Sequence, residues 1–149
     1  MRSNAVEIVI PGCPVPKGRA RSAVIHGRVV HYTPKPTKDY ESLARSYAMQ
    51  AMAKRKVMDG PVFLAVRFYL PIPESWSKKK KESALCLAIS PITKPDLSNL
   101  VKAVEDAMNG VVWRDDSQVT CMQVEKFYSD EPRSEVTVKE MNEDGQKEK

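Results

Sequence analysis

Cysteine and histidine are scarce: the 149 residues hold three Cys and two His. Cys13, Cys86 and Cys121 stand far apart, with no C-x-x-C pair and no histidine cluster, which excludes a disulfide framework and a structural zinc site. An odd number of cysteines at such spacings fits a reducing compartment, so a cytoplasmic protein is expected. Long apolar runs are missing too. The longest candidate, residues 61–73, carries Arg67 in its middle and falls short of the roughly 18 residues of a membrane span. Residues 1–11 offer one Arg and a short apolar stretch with no small-residue cleavage site, so no signal peptide is read there and no membrane partner is expected. There is no P-loop, no dinucleotide-binding fingerprint and no internal repeat, which disfavours nucleotide hydrolysis of the P-loop kind. Ser98 has no histidine near it and Cys121 falls in an expected strand, so neither reads as a nucleophile.

What is present is a normal globular composition, 42% hydrophobic and 29% charged, at a length that supports a single domain. The net charge of +5 conceals an asymmetry, because residues 1–104 sum to +11 and residues 105–149 to −6. Basic bulk with clustered acids suits a protein that binds a polyphosphate and a divalent cation, since phosphates attract Lys and Arg while Mg²⁺ takes carboxylates. An ordinary solvated surface meets the charge count equally well. The basic residues gather in three places. Lys17, Arg19 and Arg21, with Arg28, lie in a Pro- and Gly-punctuated stretch able to follow a phosphate chain. Lys54-Arg55-Lys56 sits at an expected helix C-terminus, where cations favour the macrodipole. Lys78–Lys81 reads as a solvated face or a phosphate-facing edge.

Periodicity predicts a mixed order of elements. Residues 5–10 (AVEIVI) and 28–33 (RVVHYT) read as short strands, and a helix follows from about 37 to 56 with Tyr40, Leu43, Ala44, Tyr47, Ala48 and Ala51 on one face. Residues 61–70 (PVFLAVRFYL), almost continuously apolar, read as a central strand. A short Lys-rich helix is expected over 78–87. Leu97, Leu100, Val101, Val104 and Met108 then share a helical stripe, opened by Asp96 as N-cap and closed by Asn109-Gly110. Two β-rich runs, 119–128 and 135–139, flank Ser129-Asp130-Glu131-Pro132 and predict a hairpin; residues 142–149 read as a polar tail.

Phosphodiester chemistry at neutral pH usually relies on a metal held by carboxylates from separate elements. The candidates are Asp96, Asp106, Asp115 and Asp116. Asp96 also reads as a helix cap, and Asp115-Asp116 as a turn. Asp106 lies ten residues beyond Asp96 on one helix, roughly 15 Å along the axis, so the two do not share an ion. Asp106 pairs more simply with Lys102 at i,i+4. Lys102, off the apolar stripe, is either that ion pair or a cation facing a phosphate. His26 and His31 match no ligand pattern.

The segment Lys94-Pro95-Asp96-Leu97-Ser98-Asn99-Leu100-Val101-Lys102, continued by 106–110 (DAMNG) and 112–119 (VWRDDSQV), resembles the RusA family of Holliday-junction resolvases. The likeness extends to 14–21 (PVPKGRAR), to Tyr32-Thr33-Pro34 with its following helix, and to the β-rich C-terminal stretch, covering most of the chain. It implies an α+β domain over residues 1–141, a small mixed sheet packed with two main helices, followed by the tail at 142–149. It also implies a homodimeric endonuclease, of the kind carried by phages and prophages, that uses Mg²⁺, or alternatively Mn²⁺, to resolve four-way DNA junctions by paired nicks in recombination and repair. Carried over by position, Asp96, Lys102 and Asp116 are the catalytic residues and Asp96, Asp115 and Asp116 the metal ligands. Lys17, Arg19, Arg21, Arg28 and Lys94 are the DNA contacts. The family pattern is Asp-Leu-Asp-Asn, and Ser98 stands where its second Asp belongs. Three outcomes follow: a cation held by the remaining carboxylates with extra water, weak cleavage, or junction binding without cleavage. A purely structural module, its acids serving as caps and turns, is the remaining rival.

Overall fold

A computed structural model describes residues 5–141; the expected tail at 142–149 lies outside the described residues. Four strands form one mixed sheet: β1 (Ala5–Pro11), β4 (Val62–Pro71), β5 (Val119–Ser129) and β6 (Arg133–Glu140), in the order β1-β6-β4-β5. The remaining strands, β2 (Arg21–Ile25) and β3 (Arg28–Tyr32), pair only with each other. Helices α1 (Lys35–Met52), α2 (Lys78–Leu85) and α3 (Leu97–Met108) complete the fold. This is the expected single α+β domain with two main helices. No helix among the described residues is long and apolar enough to cross a membrane.

Strand alternation sets the layers. Val62, Leu64, Val66, Phe68 and Leu70 of β4 point to one face and are buried, as are Val6, Ile8 and Ile10 of β1 and Val136 and Val138 of β6. The helices cover that face with Tyr40, Ala44, Ala48 and Met52 from α1 and Leu100, Val101, Ala103, Val104, Ala107 and Met108 from α3. Alanines at the α1 and α3 contact positions let the backbones approach closely, and the large side chains of β4 fill the space beneath. Tyr40 reaches through this layer to Ser134, their hydroxyls 2.6 Å apart; burial pushes the phenol up to about 12. Val66 sits between Val124 of β5 and Val136 of β6, so β4 is central, as its apolar run predicts.

Three expectations are corrected. First, β5 and β6 do not form a hairpin. β5 runs parallel to β4 on one side and β6 antiparallel to it on the other. Two strand spacings amount to about 10 Å, which the short bend between β5 and β6 spans over the end of β4. Arg133 locks the crossing, donating to the Glu131 carbonyl at 2.9 Å and lying 3.9 Å over the Tyr69 ring. Second, α1 begins at Lys35 and stops at Met52, because Ala53 takes a positive φ of 48°. Arg55 is therefore beyond the helix, donating to the Ala5 carbonyl at 3.1 Å. Third, residues 21–25, where no strand is expected, form β2. His26 (φ 51°) and Gly27 (φ 78°) are both left-handed, the geometry of a two-residue type I′ turn that joins two antiparallel strands.

The parallel pairing of β4 with β5 requires a long crossover, and α2 and α3 occupy it. That connection sets α3 beside the 3₁₀ turn before β5, where Lys102 in the middle of the helix meets Asp116.

Candidate active site

Asp96 occupies the N-cap position of α3 with extended backbone (φ −69°, ψ 139°), and its carbonyl accepts from the amides of Asn99 and Leu100. Its carboxylate does not cap the helix. The reading of this side chain as a structural cap is thereby removed: an exposed carboxylate is held at the mouth of the helix without a hydrogen-bond partner among the described residues. The loop before it is anchored from β5, since Lys126 donates to the carbonyls of Thr93 (2.9 Å) and Pro95 (3.0 Å). Asp96 lines a cleft of about 440 Å³ with Lys94, Asn99, Lys17, Pro14 and Pro16.

Lys17 enters this cleft on a tightly held loop. Its amide donates to the Asn99 carbonyl at 2.8 Å, in the first turn of α3. Buried Thr37, at the start of α1, accepts from the Gly18 amide at 2.9 Å and donates to the Pro16 carbonyl at 3.1 Å. Gly18 leaves little room for a side chain, because a Cβ would lie 3.0 Å from Pro34 and from the Thr37 hydroxyl. The Lys17 ammonium pairs with Glu41 at 2.7 Å and Asp106 at 3.0 Å. Desolvation pulls its pKa down, but those two carboxylates outweigh it and leave the value raised.

Asp106 continues the chain of charges. Its other oxygen lies 3.3 Å from Lys102, and Lys102 donates to Asp116 at 3.0 Å. The Asp116 hydrogen bond, followed by the field of Asp106, raises the Lys102 pKa above the usual lysine value, so at neutral pH this side chain is a permanent cation and not a general base. Glu105 is half-buried beside the network; desolvation, then the negative charge of Asp116, raises its pKa.

Gln118 shapes the acidic turn. Its carbonyl oxygen accepts from the amides of Arg114 (2.8 Å) and Asp115 (3.0 Å), while its amide donates to the carbonyls of Met58 (2.8 Å) and Gly60 (3.0 Å). Arg114 pairs with Asp59 across the same junction. Asp115 is exposed and caps the following 3₁₀ turn by accepting from the Ser117 amide at 3.0 Å; the Ser117 hydroxyl first, and then that amide, hold its pKa down. Adjacent acids thus divide: Asp115 serves the turn and Asp116 turns to Lys102.

The site residues expected from sequence therefore separate into groups. Lys102 and Asp116 are in direct contact, and Asp96, Lys94 and Lys17 share the cleft. Arg19, Arg21 and Arg28 lie away from it, on and beside the β2–β3 hairpin. Among the described residues, no group of three or more His, Cys, Asp or Glu side chains able to hold a metal is found. Mg²⁺ usually keeps several waters and takes one or two carboxylates plus substrate phosphate oxygens. The Asp96 carboxylate has no partner among the described residues, and the Asp116 carboxylate pairs with Lys102. Glu41, Lys126 and Gln118 escape sequence reasoning, since their roles come from partners far along the chain. Asp106 is half legible: i,i+4 spacing gives Lys102, but nothing in the spacing gives Lys17.

The sequence model of the family described as Endodeoxyribonuclease RusA matches residues 11–139. A curated relative, the "Uncharacterized protein YqaN" of Bacillus subtilis (strain 168), is 39% identical over 141 residues, covering 93% of this chain and 99% of its own.

Proposed function

From the premise that this chain belongs to the RusA family of endodeoxyribonucleases, we propose that it is a Mg²⁺-dependent, homodimeric endonuclease that resolves four-way DNA junctions by paired symmetric nicks. The observation that carries this reading is the Lys102–Asp116 contact beside the cleft that holds Asp96 and Lys17. Residues of the family motif, distant in sequence, meet there with opposite charges fixed in place. The dimer follows from the substrate, because two symmetric nicks need two sites related by a two-fold axis.

Hydrolysis joins a water oxygen to phosphorus and breaks one P–O ester bond, so negative charge builds on the phosphoryl oxygens. Lys102 is the side chain placed to meet that charge, and Asp116 and Asp106 orient its ammonium before substrate arrives. Asp96 and Asp116 are the residues that would hold Mg²⁺, whose chemistry when bound is Lewis-acid polarisation of the phosphate. Lys17 and Lys94 border the cleft and retain the scissile strand by its backbone, without reading bases. Arg19, Arg21 and Arg28 extend the cationic surface outward.

A second reading, junction binding without cleavage, is favoured by one observation: Ser98 supplies a hydroxyl in the first turn of α3 where the family motif has a carboxylate. The decisive experiment incubates the protein with an end-labelled four-way junction and a matched linear duplex, with Mg²⁺ and then with EDTA. Paired nicks on the junction alone, abolished by EDTA and by Asp116→Asn, are expected. Tight junction binding with no products would replace the nuclease with the binding protein. Ser98→Asp separates the two further: it is expected to increase cleavage, and unchanged cleavage with unchanged metal affinity refutes a missing ligand as the limiting factor.

A further inference from the structure

The β2–β3 hairpin covers no core. Val24, Val29 and Ile25 are 73%, 64% and 51% exposed, and none of its residues joins either apolar cluster. Its geometry is nevertheless regular. Val24 faces Val29, Ala23 faces Val30 and Ile25 faces Arg28 up to the His26-Gly27 turn, while Ser22 and His31 hydrogen-bond across the strands at 3.0 Å. Alternation gives the ribbon two apolar faces. One carries Ile25, Ala23 and Val30 with Arg28 near the tip and Arg21 beside Tyr32 at the base; the other carries the Val24–Val29 pair. An isolated two-stranded hairpin is marginal in water, and an exposed apolar patch rimmed by charge marks an interaction surface.

The charge identifies the partner. No Asp or Glu occurs between Glu7 and Asp39, and Arg19, Arg21 and Arg28 make no ion pair among the described residues. A polyanion complements these guanidiniums. A ribbon lying in a duplex groove would touch polar base edges with one face and leave the other in water. Separated strands at a branch point present base faces to both sides of an inserted ribbon, and apolar wedges between bases are an established way to hold distorted DNA. Resting on the reading of the protein as a junction endonuclease, we propose that the β2–β3 hairpin inserts at the branch point of the junction. There Val24, Ile25, Val29 and Val30 lie against bases, and Arg21 and Arg28 grip the flanking phosphates. The root of the hairpin follows directly on the loop that Thr37 clamps and that carries Lys17 into the cleft, so engagement of the branch point brings nearby phosphates to Lys102.

The test places 2-aminopurine either beside the branch point or in the middle of an arm and follows fluorescence and anisotropy with the full chain in EDTA. Bound wild type is expected to brighten the branch-point probe and leave the mid-arm probe dark. Val24→Lys is expected to abolish the brightening and to cut the preference for junction over linear duplex about tenfold, equivalent to about 1.4 kcal/mol, with duplex affinity unchanged or higher. A dark branch-point probe with wild type bound overturns the proposal, and so does Val24→Lys binding both DNAs more tightly with brightening intact. Val24→Thr with Val29→Thr preserves β-branching; if it halves the mass in solution and leaves junction binding untouched, the face belongs to a second copy and the proposal fails. Wild type with no preference for the junction refutes the resolvase reading itself and takes this inference with it.

Discussion

Replacing Lys102 by Met removes an ammonium and keeps most of the aliphatic stem, which makes it the sharpest test of the charge network. In the free protein the ammonium lies 3.0 Å from Asp116 and 3.3 Å from Asp106, with the side chain 49% exposed. Exposed pairs of this kind contribute roughly 0–1 kcal/mol to stability, and for a chain of this size each kcal/mol moves Tm by about 2–4 °C. The loss on the reaction is larger. A unit charge about 4 Å from developing negative charge gains up to about 4 kcal/mol at an effective dielectric near 20, and removing one preorganised donor typically lowers kcat by about 10²–10³. Lys102→Met is therefore expected to melt within about 4 °C of wild type, to bind a four-way junction within about threefold, and to cleave it about 10²–10³ more slowly in single turnover. A rate loss under tenfold reduces Lys102 to a surface ion pair, and a rate loss that tracks the unfolded fraction assigns it to the fold. The pH dependence carries a sign of its own. The Lys102 pKa is raised above 10.5, so its charge is complete below that value and is lost only as pH rises through the raised value; a break in the cleavage rate between pH 6 and 9 arises elsewhere.

Thr37→Val leaves the Gly18 amide and the Pro16 carbonyl without their partner, and unfolding by urea is expected to show a loss of about 1–3 kcal/mol. Junction affinity falls with it as the Lys17 loop loosens; unchanged affinity would show that Lys17 is held by its ion pairs alone. Glu105→Gln is expected to raise Tm by about 1–2 °C at pH 7, because the half-buried carboxylate ionises against desolvation and the charge of Asp116. A raised pKa means that wild type is relatively most stable with Glu105 protonated, below 4.5, and loses that advantage as pH rises through the raised value. The gain of the variant is accordingly present at neutral pH and vanishes below 4.5; a pH-independent gain refutes the assignment.

How much of this was legible in the sequence depended on the range of the interaction. α3 was readable almost to the residue, because its apolar stripe runs at helical spacing and Asn109-Gly110 ends it. Central β4 was readable from its apolar run. The pairing of β5 and β6 was not, since a short polar link between two β-rich runs looks the same whether it turns tightly or steps over a third strand. β2 was hidden because Arg21 at its start and the His-Gly turn after it resemble a loop until the partner strand is known. In the site, the cap role of Asp96 and the bridging role of Asp106 were undecidable from local spacing. A carboxylate at an N-cap position bonds the helix or faces outward according to tertiary contacts, and the partner of Asp106 stands 89 positions earlier in the chain.

The cations of this protein divide by whether acids already answer them, and the division separates positioning from binding. Lys17 and Lys102 are held by Glu41, Asp106 and Asp116, so their charge is largely balanced within the fold while their direction is set. Such groups add little to long-range attraction, because a DNA approaching from outside sees two cations set among three carboxylates; their effect appears at the distance of a bound phosphate. Arg19, Arg21 and Arg28 have no acidic partner among the described residues and face solvent, so each phosphate they neutralise releases counterions. The slope of log affinity against log salt should therefore shrink by about one unit for each of these arginines changed to Gln, and by much less for Lys17→Gln. Equal slopes for the two kinds of variant would mean that DNA breaks the Lys17 ion pairs on binding, and that the paired network is a latch rather than a template.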